Sequence, residues 1–155
     1  MRRKAARSAA HLFMTREELE KFALSLGGVH CGCPFRDDFT TLVMRHADSG
    51  KWFGIYMPAP VKSLIKGAGQ EKAAALSDFF NGAKRAFVVC LKCQPELSAV
   101  LQQNYVGVLP AYHMNKRLWI SVILGCDVDR GTVEKLITLS YDITNVRARR
   151  EKERM

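Results

Sequence analysis

Apolar positions along the chain alternate between two spacings. Leu19, Phe22, Ala23 and Leu26 fall at i, i+3, i+4 and i+7, which is one face of an α-helix. Thr15 stands at the cap of this helix with Glu18 three residues on, a capping box, and Glu17 and Glu18 suit its positive end. Gly27 and Gly28 end it. Residues 29–34 then read as extended and 35–38 as a turn. Residues 40–45 and 51–57 are β-rich and are joined by Ala47-Asp48-Ser49-Gly50, so they predict a hairpin and hence an antiparallel sheet. Pro58 and Pro60 are expected to stop the second strand, because proline cannot donate to a ladder.

Farther along, residues 71–80 predict a short helix with Ala75, Leu76, Phe79 and Phe80 apolar, while Gly67, Gly69 and Gly82 mark loops around it. The unbroken apolar run 86–92 predicts a strand. Pro95 at a first helical position, with Leu97, Val100 and Leu101, predicts a helix ending near Tyr105 and Gly107. Ile120, Val122 and Leu124 at period two predict a strand over 118–124. Asp129 or Thr132 would cap a last helix whose Val133, Leu136, Ile137 and Ser140-Tyr141 face the core.

Between the last two strands lies the densest cluster of special residues, Leu109 followed by Pro110-Ala111-Tyr112-His113-Met114-Asn115-Lys116-Arg117. Pro110 is expected to block regular structure there. An aromatic, an imidazole, an amide and an ammonium within five positions of a strand-anchored loop mark a place to look for binding.

At 155 residues the chain suits one domain over 15–146, with a basic extension 1–14 and a basic tail 147–155. Met14, directly before the capping box, would also serve as a start. The net charge is unevenly placed. Residues 1–7 contribute +4 and residues 147–155 a net +3, so 8–146 carries only +2 of the +9 total. No apolar run reaches the length of a membrane span, so no membrane partner is expected. Five cysteines without a secretory leader point to a reduced, cytoplasmic protein.

The order of motifs resembles the MmcQ/YjbR family of small bacterial proteins. It is carried by Pro34-Phe35, Lys51-Trp52-Phe53, Leu91-Lys92-Cys93-Gln94-Pro95-Glu96, the 110–116 run, Trp119, Leu136-Ile137 and Ser140-Tyr141. The resemblance spans roughly residues 15–143. It implies an α+β fold of the CyaY/frataxin kind, an antiparallel β-sheet packed against helices in two layers. It also implies a double-wing arrangement associated with DNA binding. Three departures stand out: Ala111 where the family usually has glycine, Cys33 in place of an aromatic, and a long 60–85 segment.

Cys31-Gly32-Cys33 and Cys90-Leu91-Lys92-Cys93 have the look of two halves of a zinc site, but positions three apart on a strand point to opposite faces. Free thiols are the expectation, with no metal. Iron binding of the frataxin kind would need an acidic ridge, and the first helix offers only Glu17, Glu18 and Glu20 beside Arg16 and Lys21. A Cys–His nucleophile at Cys93 or His113 lacks any ordering of the third group. The chain is therefore expected to have no catalytic residues and no cofactor, to act as a monomer, and to bind DNA. Lys51, Trp52, Lys92, Tyr112, His113, Asn115, Lys116 and Arg117 are the candidate contacts, with the basic ends adding phosphate affinity. The alternative is a small-ligand or protein-interaction pocket around residues 112–116, in which Tyr112 and Trp119 pack inward and His113 and Asn115 bond the loop backbone.

Overall fold

The computed structural model describes residues 13–146 and 153–154, so nearly all of both basic ends lies outside the described residues. Among residues 13–146, five helices and six strands follow in the order α1 (Arg16–Ser25), β1 (Val29–Gly32), β2 (Leu42–His46), β3 (Trp52–Pro60), α2 (Val61–Ala68), α3 (Gln70–Phe80), β4 (Arg85–Lys92), α4 (Pro95–Asn104), β5 (Val108–Pro110), β6 (Trp119–Ile123) and α5 (Arg130–Thr144). All strand pairs are antiparallel in one sheet of order β1-β2-β3-β4-β6-β5. This is the α+β class that the hairpin and the resemblance predict.

The capping box forms as read. The Thr15 hydroxyl accepts from the Glu18 N–H at 3.3 Å, and Glu18 accepts from the Thr15 N–H at 3.3 Å. Glu18 also pairs with Arg130 at the start of α5. That pairing, with the cap, draws its carboxyl down to about 2. Met14 is only 5% exposed and belongs to the core, so the residue directly before the cap is packed.

Helices pack on both faces of the sheet. On one face Leu19 and Ala23 of α1, Leu101 of α4, and Val133, Leu136 and Ile137 of α5 meet Met44, Phe53, Val89, Leu91, Ile120 and Val122. Each such fully buried side chain contributes about 1.5–3 kcal/mol. On the other face Val61, Leu64, Leu76 and Phe80 of α2 and α3 meet Val43, Ile55, Ala59, Val88, Cys90 and Ile123. The long 60–85 segment thus adds a partial third layer to the sheet-and-helix pair.

Three local expectations need correction. β3 does not stop at Pro58 but runs through Pro60, paired to β4 as far as Arg85. Its pairing with β2 ends at Tyr56, so both prolines sit where β3 has a neighbour on one side only, and no ladder donor is lost. Pro110 likewise does not block structure: it ends β5, an edge strand, opposite Ile120. Gly67 lies inside α2, where Val61, Leu64, Ile65 and Ala68 stand at helical spacing, and only Gly69, at φ 93°, makes the break to α3.

Candidate functional site

The antiparallel order brings one set of strand ends together. β3 begins at Trp52, β4 ends at Lys92 opposite Trp119, and β6 begins at Trp119. Lys51 precedes the first of these and the 111–118 turn precedes the last. All eight predicted contacts therefore gather at one end of the sheet, across a width of roughly 10 Å from β3 to β6. Their side chains do not share one surface.

A β-bulge decides where Trp52 points. Met44 pairs with Gly54 and Arg45 with Trp52, so Phe53 is an extra residue in β3. Simple alternation would send Trp52 to the side of Gly54, against α5. The extra residue reverses it. Phe53 is fully buried beside His46 and Tyr141, at ring distances of 5.1 and 5.4 Å, while Trp52 is 37% exposed on the opposite face. The Phe53 carbonyl accepts from the Ser140 hydroxyl at 2.5 Å, and the Lys92 N–H donates to that hydroxyl at 2.9 Å. One buried side chain of α5 thus satisfies two backbone groups beside the bulge and ties the Trp52 and Lys92 positions together.

On the face that Trp52 joins, α2 and α3 reach only part of the sheet. His30, Arg45 and Trp52 lie in adjacent strands and, with Val43, Gly32 and Pro34, line a shallow cavity of about 180 Å³. Arg45 Nε donates to His30 Nδ1 at 3.3 Å. Phe35 meets Trp52 edge to face, with centroids 6.3 Å apart, and Phe39 is 79% exposed. Lys92, two residues beyond Cys90 on β4, falls on this same face by alternation. Among the described residues neither Arg45 nor Lys92 has a carboxylate partner.

The 111–118 turn is held by its own polar groups. Asn115 Oδ1 accepts from the N–H groups of Arg117 at 2.9 Å and Leu118 at 3.2 Å, a turn-closing role. The Leu118 carbonyl accepts from the Cys93 N–H at 2.8 Å, fastening the turn to the end of β4. Tyr112 is half-buried, its ring against His113 at 3.9 Å and its N–H donating to the buried Ser121 hydroxyl at 2.8 Å. Positive φ in this loop falls at His113 (58°), not at Ala111, which is fully buried. An alanine where the family has glycine therefore meets no conformational obstacle.

Lys116 and Arg117 are both exposed and rim a separate open groove of about 700 Å³ between α3 and α4. Its floor holds Lys72, whose ammonium donates to the carbonyls of Tyr105 and Val108, each at 2.7 Å, and closes the outer edge of β5. Burial pushes this ammonium below the usual lysine range.

The thiols stay apart. β1 and β4 are separated by β2 and β3, and Cys90 and Cys93 face opposite clusters, so the two halves of the zinc-like pattern do not meet. Burial pushes the Cys31, Cys93 and Cys126 thiols up to about 11. No helix among the described residues is long and apolar enough to cross a membrane.

Arg45 joins the site although sequence reasoning did not single it out. The signal for Arg45 was present: it is the one exposed residue of β2 and faces Trp52 across the hairpin. The bulge hid that pairing.

Residues 24–143 match the YjbR family model. YyaQ of Bacillus subtilis, described as uncharacterised, is 31% identical over 132 residues, covering 84% of this chain and 98% of the relative. A crystal structure from Pseudomonas syringae superposes with a TM-score of 0.70 at 31% identity, over 85% of this chain and all of the other (100%). A Deinococcus radiodurans structure, at 20% identity and a TM-score of 0.56 over 85% of this chain and 79% of its own, shares the fold alone. With the family motifs spread over β1, the bulged hairpin, β4, the 111–118 turn and α5, and with the match running through all of them, the chain belongs to the YjbR family.

Proposed function

We propose that this protein is a DNA-binding module without catalytic activity, acting as a monomer in the cytoplasm. The observation that carries the reading is the uncovered sheet face on which Arg45, Trp52 and Lys92 lie together, cationic and aromatic, with no carboxylate partner for either cation among the described residues. Cations there hold phosphates, and Lys51, Lys116 and Arg117 extend the positive end of the sheet. The thiol of Cys93, pushed up to about 11, is poorly suited to act as a nucleophile at neutral pH, which supports a binding role.

The test is fluorescence anisotropy of labelled DNA with the full chain over a salt series. Replacing Arg45 and Lys92 by alanine should weaken binding and lower the salt slope by about one unit per lost duplex phosphate contact. An unchanged slope would place all phosphate contacts elsewhere and remove this face from the reading.

The groove rimmed by Lys116 and Arg117 favours a second reading, an anionic small ligand bound beside Lys72. A ligand-induced rise in melting temperature that Lys116→Ala with Arg117→Ala abolishes would support it.

A further inference from the structure

We infer that the open sheet face recognises single-stranded rather than duplex DNA, through base stacking on Trp52 and Phe35; this rests on the DNA-binding reading above. Two observations point the same way. The first is charge. The segment 8–146 carries a net charge of only +2, so its cations are nearly balanced by carboxylates and the long-range field that would draw a duplex onto the fold is weak. The second is what the face exposes instead. Trp52 is 37% and Phe35 47% exposed, and their edge-to-face contact braces Trp52 without burying it. The bulge at Phe53 turns Trp52 outward when plain alternation would have buried it against α5.

Aromatic faces of this kind stack on unpaired bases, gaining about 1–3 kcal/mol per base with little dependence on sequence. A duplex keeps its base faces inside its own stack and offers these rings nothing. Arg45 and Lys92 flank Trp52 on neighbouring strands, suited to a strand whose phosphates lie on either side of a stacked base. Two nearby carboxylates are engaged in their own turns: Asp38 accepts from the N–H groups of Thr40 and Thr41, and Asp48 from that of Ser49. The near-neutral body, unfavourable for duplex binding, is compatible with a site whose affinity comes from stacking.

The experiment compares the full chain on a fluorescein-labelled single strand of roughly 16 nucleotides, the upper site size for one stacking domain, with the same strand annealed to its complement. The single strand should bind more tightly. Trp52→Ala should weaken it about 5- to 150-fold, the span that 1–3 kcal/mol implies, while Trp52→Phe keeps most of the affinity and Phe35→Ala falls between. Circular dichroism of each variant checks that the fold is intact. Duplex binding as tight as single-strand binding, with Trp52→Ala without effect, overturns the inference and leaves DNA binding standing. Absence of binding to either overturns both. If neither binds and sedimentation shows a dimer that Trp52→Ala dissociates, the face is a self-association surface and the inference likewise falls.

Discussion

On the face of the sheet that α1 and α5 cover, Leu19, Phe53, Leu91 and Ile137 are fully buried and the polar groups are matched one by one. Ser140 bridges Phe53 and Lys92, His46 Nε2 and Thr144 Oγ1 are hydrogen-bonded at 2.8 Å, and the Thr144 hydroxyl donates to the Ser140 carbonyl at 2.7 Å. The same strands carry Arg45, Trp52 and Lys92 on the opposite face, where α2 and α3 reach only part of the surface. One face is built for stability. The other leaves aromatic and cationic groups open where more apolar packing would have been cheaper. The difference teaches that the bulge, which borders both, couples them: the residue that fills the core sends its neighbour to the surface.

The contrast is broken most strongly at Phe53 and Trp52. Phe53→Ala should cost about 3–5 kcal/mol in urea unfolding, as cavities beneath a helix do, whereas Trp52→Ala should cost no more than about 1 kcal/mol. Comparable losses would mean that Trp52 is a core residue and not a surface one. Next in size is Ser140→Ala. It strands a buried carbonyl and a buried N–H together, so a loss of about 2–3 kcal/mol is expected. It should also loosen the bulge, visible as a changed exposure of Trp52 in fluorescence quenching. An intact quenching profile would show that the bulge holds without its bridge.

Removing the cap with Thr15→Ala should cost about 1 kcal/mol, confined to α1 and its packing, and hydrogen exchange should show faster opening of residues 16–19 alone. The smallest effect is pH-dependent and again separates the faces. Desolvation holds His46 below its ordinary value of 6.5, so the folded state favours the neutral ring. Its contribution is present above 6.5, where the ring is neutral in both states, and is lost as pH falls through the lower folded value. Urea midpoints should therefore drop between pH 7 and pH 5 (~), and His46→Gln should flatten that slope.

Much of the fold was legible. The capping box at Thr15 and Glu18, the hairpin through Ala47 to Gly50 and the apolar stripe of α5 are local or periodic signals, and each forms where the residues indicate. What escaped reading depends on neighbours. Pro58, Pro60 and Pro110 are tolerated because they lie where a strand lacks a second partner, and the sequence does not mark edges. α2 is the exception: Val61, Leu64, Ile65 and Ala68 stand at i, i+3, i+4 and i+7, a local signal that the flanking Pro60, Gly67 and Gly69 masked. The candidate site was legible as a set of residue types more than as a surface. Lys51, Trp52, Lys92 and the 112–117 turn do reach one end of the sheet, yet Lys116 and Arg117 open on a different groove, and Asn115 is occupied in closing its own turn.

The sequence by itself determined the α+β class, the antiparallel hairpin, the family and the neutrality of the body between basic ends, because propensity, periodicity, motif order and charge are properties of the chain alone. Tertiary structure alone decided the strand order, the Phe53 bulge and the face to which Trp52 turns. A one-residue insertion in a ladder inverts every side chain before it, and the Phe53 carbonyl at that insertion is met by Ser140, eighty-seven positions away in the chain.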